Sequence, residues 1–389
     1  MQERAVLKSA KIALGLVSLC VSLLVAEVLL SWLEPQVNRR PEVWHFDAHL
    51  GWKHLPSSSG WMVGPEYEVE MRINKEGLRD QMYAREKAPA AQRILLFGDS
   101  FVEGWGVRVE DSIAKKLEEQ LRQDGQDRVE VINFGVAGYG SDQELLFFEE
   151  LGSQFEPDQV VVFFYVNDLI NNMSKQGIGA ERGYKPYFRF DRMGRLQLAG
   201  TPVKKVPFWD KSAWQEQPWT RHFEKYLHEN WHLYVLLNKA LTAAELDTGQ
   251  RQKFYQALYG VGSDSNVFKA WELTGSLLQI FQTQVEKAGA ELVLVYVPAI
   301  VQVEEENWQT KRDLFGLIGE FDLQRPNWQL KRQAARYDIP LLDLSEEFIK
   351  KAQDSELYFR ESHWNPQGHA LAARLVADFL RQRAEGQGP

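Results

Sequence analysis

Residues 94–101 read ILLFGDSF, and this stretch decides the fold. Four consecutive apolar residues predict a short buried strand, and the Gly-Asp-Ser triplet marks its end. The hydroxyl of Ser100 has two interpretations at such a place. Either it caps the next helix, as serine often does, or it is a nucleophile presented at the edge of a sheet.

Four further apolar runs predict strands, and helical patterns separate them. The five predicted strands are 94–97, 129–132, 160–166, 292–297 and 339–342. The third run, VVVFFYV, lacks polar alternation, which is typical of a strand covered by helices on both faces. Helical periodicity follows the first strand, at residues 112–121. We therefore expect an α/β fold with an open, mostly parallel five-stranded sheet and helices on both faces, in a domain spanning 93–389.

A long gap interrupts this domain. About 125 residues separate the third and fourth predicted strands, whereas a crossover needs on the order of 12. We expect a large, mainly helical insertion at about 176–288. It contains five tryptophans, Trp209, Trp214, Trp219, Trp231 and Trp271. The insertion is interpreted as a substrate lid over the carboxyl edge of the sheet, with a structural flap or partner surface as the alternative.

The N-terminus predicts a membrane helix. Residues 12–33 are almost wholly apolar, and a 22-residue helix is about 33 Å long, which matches a bilayer core of about 30 Å. Glu27 is the one charge within it. Basic residues precede it, which predicts a cytoplasmic N-terminus and a single-pass anchor (1–34) in the inner membrane, with the remainder on the periplasmic or extracellular side. A cleaved signal peptide and a buried helix are the alternatives; Leu24 suits the signal-peptide cleavage site poorly.

The connector, the net charge and the missing motifs limit the classes of function that the chain can have. Residues 35–92 form a connector with one predicted edge strand at 67–73. A net charge of -9 and the lack of a basic stripe disfavour nucleic acid as a partner. The single cysteine, Cys20, excludes an intrachain disulfide. Neither a metal nor a cofactor is expected, because the sequence has no Walker loop, no dinucleotide fingerprint and no complete metal-ligand set.

Polar groups follow the predicted strands at the edge where parallel sheets bind ligands. Three of them are Gly98-Asp99-Ser100, the glycine-rich loop 133–140 and Asn167-Asp168. A fourth polar group, ESHWNP at 361–366, lies near the C-terminus. Each alone is compatible with a helix cap or a turn. Their order along the chain, Ser, Gly, Asn and then His, indicates a nucleophilic site.

These four blocks resemble those of the SGNH (GDSL-type) hydrolase superfamily, and residues 73–79 resemble a lead-in of bacterial, exported members. The resemblance implies that Ser100 is the nucleophile and His363 the general base. It also implies an oxyanion hole made by the Ser100 N–H, the Gly138 N–H and the Asn167 side chain. Asp99 and Asp168 would support these groups.

The acid of the triad departs from the family pattern. The family usually has aspartate three residues before the histidine, and that position here is Arg360. Glu361, two residues before His363, is the better candidate, with Asp343 and Asp354 as fallbacks.

The resemblance implies acyl transfer through an acyl-serine intermediate. We expect an esterase that deacylates carbohydrate or lipid esters of the cell envelope. Two alternatives stay open: an O-acyltransferase that passes the acyl group to an envelope polysaccharide, and a catalytically inert binding module of the same fold.

Overall fold

The structure is a computed structural model that describes residues 2–123, 125, 128–177, 183–206, 218–242, 248–262 and 265–386. Trp209 and Trp214 of the predicted insertion lie outside the described residues. The strands are β1 Trp44–Asp47, β2 Gly51–His54, β3 Ser59–Gly64, β4 Tyr67–Arg72, β5 Gln92–Phe97, β6 Val129–Asn133, β7 Gln159–Tyr165, β8 Tyr187–Phe190, β9 Leu196–Ala199, β10 Glu291–Val297 and β11 Leu341–Asp343.

The structure describes fourteen α-helices. They are α1 Gln2–Leu33, α2 Ser100–Glu103, α3 Ile113–Gln123, α4 Ser141–Glu150, α5 Asp168–Met173, α6 Trp219–Asn230, α7 His232–Thr242, α8 Thr248–Tyr259, α9 Ser265–Lys287, α10 Ile300–Val303, α11 Glu305–Leu314, α12 Arg325–Arg336, α13 Ser345–Ala352 and α14 Pro366–Ala384. Short 3₁₀ turns occur at Val109–Asp111 and Gly152–Phe155.

The predicted five-stranded sheet is confirmed. Its strands run in the spatial order β11-β10-β7-β5-β6, and every pairing is parallel. The chain moves outward from β5 to β6 and then returns past β5 to β7. This reversal creates a switch point between β5 and β7, where a crevice opens beyond the strand ends. Ser100 follows β5 and Asn167 follows β7, so both lie at that crevice.

Helices cover both faces, because right-handed crossovers in opposite directions put their helices on opposite sides. Helix α3 packs with α14, and α9 packs with α4, α12 and β10. Leu277, Leu278 and Phe281 of α9 are fully buried. Helix α9 therefore lies within the range predicted as insertion yet is the crossover helix before β10, which leaves a shorter insertion.

The connector 35–92 folds against the domain as two hairpins. β1 pairs with β2, and the predicted edge strand is β4, which pairs with β3 rather than with the central sheet. Arg79, buried at the end of the connector, donates hydrogen bonds to the carbonyls of Glu103, Gly104 and Val107. The connector thereby fixes the loop that follows α2.

Helix α1 contains a stretch, Ala10–Leu33, that is long and apolar enough to cross a membrane. None of its apolar window is buried in the protein. By length and composition alone, a stretch near the N-terminus fits either a membrane anchor or a signal sequence.

Acidic side chains are buried beneath the crevice. Asp142 is paired with the buried Lys185, whereas neither carboxyl oxygen of Glu144 has a hydrogen-bond partner among the described residues. Burial, together with the charges of Asp99 and Asp142, raises the pKa of Glu144 well above its usual range. Burial, together with the charge of Glu144, also raises the pKa of Asp168 well above its usual range. Protonated forms of Glu144 and Asp168 are therefore favoured in the folded protein.

This arrangement predicts a pH-dependent effect of Glu144→Gln. A raised carboxyl pKa contributes stability below the unfolded-state pKa of about 4.5, and this contribution is lost as the pH rises toward the folded-state value. The neutral amide avoids that loss. We expect the variant's melting temperature, measured on the full chain in detergent, to match wild type near pH 4 and to exceed it by about 2 °C or more at pH 8.

The matched control is Glu346→Gln, the same change on an exposed residue. It should give no pH-dependent difference from wild type. Equal melting temperatures of Glu144→Gln and wild type at pH 8 would contradict the assignment.

Candidate active site

Asp99, rather than Ser100, caps helix α2. The Asp99 carboxylate accepts a hydrogen bond from the Phe101 N–H at 3.0 Å. Ser100 is the first residue of α2, directly beyond the end of β5, and its hydroxyl is not used in capping. The cap therefore leaves the Ser100 hydroxyl free to bond elsewhere.

The imidazole of His363 bonds both Ser100 and Glu361. Its Nε2 lies 2.7 Å from Ser100 Oγ, and its Nδ1 lies 2.6 Å from Glu361 Oε2. The ring stacks on Trp105 with centroids 5.4 Å apart and also contacts Phe101. Two aromatic rings thus fix the orientation of the imidazole between its partners.

A tight turn brings Glu361 and His363 side chains together although only one residue separates them. The Phe359 N–H donates to the His363 carbonyl, and the Ser362 N–H donates back to the Phe359 carbonyl. Ser362 has φ of 84°, which is unusual for a residue other than glycine. Such strain persists at sites where the surrounding structure holds the geometry.

Neither fallback acid bonds the histidine. The Asp343 carboxylate binds the Asn327 side chain at 2.8 Å and the Ser345 N–H at 2.9 Å. Asp354 lies beside a surface pocket between α10 and α13. In the described parts of the chain, Glu361 is the carboxylate that bonds His363.

The expected oxyanion donors lie around the crevice. The backbone N–H groups of Ser100 and Gly138 have no hydrogen-bond acceptor among the described residues. Gly138 has φ of 80°, a conformation that glycine adopts without strain. The Asn167 side-chain amide donates to Asp99 at 2.8 Å, which uses one of its two N–H groups.

Asp168 lies apart from these groups. It is fully buried in the acidic cluster, and its carboxylate accepts a hydrogen bond from Ser141 Oγ at 3.4 Å. Its hydrogen bond goes to Ser141, so it can support the fold beneath the crevice.

Tyr67 is a residue that the sequence reasoning missed. Its hydroxyl donates to Glu361 Oε1 at 3.3 Å and accepts from Trp105 Nε1 at 2.9 Å. Burial, with Glu361 nearby, raises the pKa of Tyr67, so the phenol keeps its proton and remains a donor. Both oxygens of Glu361 are therefore held, one by His363 and one by Tyr67.

Glu103 is a second missed residue. It lies three residues after Ser100, and its Oε1 accepts from the Ala137 N–H at 3.1 Å and from Trp44 Nε1 at 3.1 Å. The buried His54 lies 2.6 Å from the same oxygen. Glu103 thus joins the helix that carries Ser100 to the loop that carries Gly138.

Two family models match the chain. The GDSL-like Lipase/Acylhydrolase family matches residues 96–247, and the SGNH hydrolase-like domain of acetyltransferase AlgX matches residues 264–389. Ser100, Gly138 and Asn167 lie in the first range, and Glu361 and His363 lie in the second. The chain belongs to the SGNH (GDSL-type) hydrolase superfamily. It is accordingly an enzyme of a family that acts on ester bonds.

Solved structures with this fold show only distant likeness. An acetyl xylan esterase, AlAXEase, is 18% identical, with 75% of this chain and 98% of that chain covered and a TM-score of 0.38. The esterase EstA from Pseudoalteromonas sp. is 13% identical, with coverages of 76% and 99% and a TM-score of 0.36. A two-domain esterase active on acetylated mannans is 16% identical, with coverages of 77% and 51% and a TM-score of 0.38. No curated protein matches the chain significantly.

The contact of Tyr67 with Glu361 predicts that Tyr67→Phe slows the reaction. Without this hydrogen bond one carboxylate oxygen of Glu361 loses its donor, so Glu361 orients His363 less well. We expect kcat to fall about 3- to 10-fold with KM little changed. The measurement is steady-state hydrolysis of a nitrophenyl ester. Tyr83→Phe removes the hydroxyl of a half-buried tyrosine that donates to Glu118 at 3.1 Å, and it should leave kcat unchanged.

The Tyr67 interpretation would be wrong if Tyr67→Phe and Tyr83→Phe had equal kcat. It would also be wrong if Tyr67→Phe lost activity only in proportion to unfolding, as followed by its melting temperature.

Proposed function

We propose that the chain is a serine acyl-transfer enzyme in which Ser100 is the nucleophile, His363 the general base and Glu361 the acid that orients the imidazole. The observation that carries the proposal is the placement of one imidazole within 2.7 Å of Ser100 Oγ and 2.6 Å of Glu361. A serine hydroxyl is a weak nucleophile unless a base stands within hydrogen-bond reach.

The proposed reaction follows from these contacts. Ser100 Oγ attacks the ester carbonyl carbon while its proton passes to His363 Nε2. The tetrahedral oxyanion is bound by the free N–H groups of Ser100 and Gly138 and by the second N–H of Asn167. His363 then protonates the departing alkoxide, which leaves an acyl-Ser100 ester and a neutral imidazole.

The second half returns the enzyme to its starting state. In a hydrolase, His363 takes a proton from water as the water oxygen attacks the acyl carbon. Collapse of the second intermediate expels Ser100 Oγ, which recovers its proton from His363 and releases a carboxylic acid. Glu361 stabilises the imidazolium in both halves by accepting from its Nδ1–H.

The N-terminal contacts support an uncleaved anchor. Glu27, inside the apolar stretch, accepts hydrogen bonds from the backbone N–H groups of His232 and Leu233, each at 2.8 Å. A leader destined for removal has no need of such contacts with the folded domain. We therefore propose that α1 is a membrane anchor; the basic residues before it favour a catalytic domain on the periplasmic or extracellular side.

The site lies next to the end of this anchor. Arg360 is the residue before Glu361. Its guanidinium lies 3.4 Å from the Glu34 carboxylate, and its backbone N–H donates to the Glu66 carboxylate at 2.7 Å. Glu34 directly follows α1. Proximity to the membrane supports an ester substrate of the cell envelope, carried on a glycan or a lipid close to the bilayer.

A second candidate is O-acyl transfer to an envelope polysaccharide. The match of residues 264–389 to the SGNH-like domain of an acetyltransferase favours it. The acyl-Ser100 intermediate is common to both reactions, and the two differ in whether water or a sugar hydroxyl attacks it.

The proposal predicts covalent labelling of Ser100. A fluorophosphonate probe should label the full-length wild-type protein, and Ser100→Ala should abolish labelling and lower ester turnover by at least about 10³-fold. His363→Ala should have a similar effect, because the hydroxyl then lacks its base. Ser58→Ala, at a partly exposed serine in the connector, is the control and should label like wild type.

A folded wild-type protein that resists the probe would favour the inert binding module. Labelling that persists in Ser100→Ala would place the nucleophile elsewhere.

Product analysis separates the two reactions. The acyl-enzyme is formed from a nitrophenyl ester, and the acyl group is then traced with and without a sugar oligomer. A hydrolase should release free acid at the same rate in both cases. A transferase should release little acid alone and give an acylated sugar with the oligomer, and that result would reject simple hydrolysis.

A further inference from the structure

We propose that helices α6 and α7 form a monotopic hairpin that inserts its apolar side into the lipid bilayer beside α1. The inference rests on the membrane anchor proposed above. It adds a second membrane-binding element outside the apolar stretch Ala10–Leu33 of α1. Its partner is the bilayer itself.

The first observation is the junction between α7 and α1. The Glu27 carboxylate bonds the N–H groups at the start of α7, which have no acceptor within their own helix. At 1.5 Å per residue, Glu27 lies about 9 Å before Leu33, inside the apolar stretch. The start of α7 therefore lies at the depth of the anchor's last turns.

Further contacts hold the two segments together. The Gln36 N–H donates to His232 Nδ1 at 2.7 Å, and Lys239 donates to the Gln36 side chain at 3.0 Å. Helix α7 packs against α1, and α6 packs against α7. The hairpin is thereby fixed along the part of the chain that leaves the membrane.

The second observation is the apolar side that the hairpin leaves exposed. Trp219, Phe223 and Tyr226 of α6 recur at i, i+4 and i+7, so they share one helix face, and all are more than half exposed. Arg221 and Glu224 lie on the opposite side of α6. An amphipathic helix of this kind with tryptophan on its apolar face is typical of the membrane interface.

Helix α7 continues this surface. Leu237 and Leu241 are one turn apart, and Leu241 is 79% exposed. Trp32 and Leu33 at the end of α1 are likewise exposed, at 84% and 77%. Large aliphatic and aromatic side chains so exposed in a folded protein mark a binding surface. Because the same surface adjoins a helix that can span a bilayer, lipid is the partner that fits it.

The test uses single-site fluorescence labelling of the full chain. Cys20 is the one cysteine of the sequence, so Cys20→Ser gives a background for single cysteines. Leu16→Cys reports on the anchor, Leu241→Cys and Phe223→Cys report on the hairpin, and Glu224→Cys is the matched control on the polar side of α6. Each protein carries an NBD label and is reconstituted in phosphatidylcholine vesicles with or without doxyl-labelled lipid.

The proposal expects doxyl quenching at least about twofold stronger at Leu241 and Phe223 than at Glu224, with strong quenching at Leu16. Quenching at Leu16 but not at Leu241 or Phe223 would overturn the hairpin and leave the anchor standing. Absence of quenching at Leu16 would overturn the anchor as well. A blue-shifted NBD emission at Leu241 without lipid quenching would assign the surface to a protein partner and equally reject the proposal.

Discussion

The site depends on one imidazole that bonds two side chains at once. His363 and Ser100 are 263 residues apart, yet Nε2 and Oγ lie 2.7 Å from each other. Ser100 is positioned by the end of β5 and the Asp99 cap, and His363 by the turn that precedes α14. These two supports are joined because α14 packs on α3, the first long helix after Ser100. The packing of the first and last helices of the sheet thus sets the geometry of the proposed chemistry.

The connector is part of this machinery rather than a spacer. It supplies Tyr67 to Glu361, and it supplies His54 and Trp44 to Glu103. Arg40, also in the connector, lies over the Trp105 ring that stacks on His363. A hydroxyl and a ring that are already ordered need no reorganisation when charge develops during the reaction. Much of the order around the histidine therefore comes from outside the central sheet.

Local patterns in the sequence were enough to predict the strands of the sheet and several residues of the site. Apolar runs predicted all five strands of the sheet, and the signal is clearest in the central strands because a strand covered on both faces must be apolar throughout. The expected positions of Ser100 and Asn167 followed from the strand ends before them, and that of His363 from the family resemblance. Tyr67 and Glu103 were missed because their contacts lie across 294 and 34 residues and belong to no motif. Helix α9 was included in the insertion because spacing alone cannot separate a crossover helix from inserted ones.

Arg360 shows how one departure from a family pattern connects to the rest of the molecule. Where relatives usually have the acid, this chain has a guanidinium that reaches Glu34 at the end of α1. An exposed ion pair of this kind adds little stability, so its value is positional. The contact joins the loop of Glu361 and His363 to the first residue beyond α1, so the proposed membrane anchoring of α1 would place the site near the bilayer surface. Under that proposal an acyl donor or acceptor would approach Ser100 from the membrane surface, which is a restriction on the substrate that the proposed triad alone does not impose.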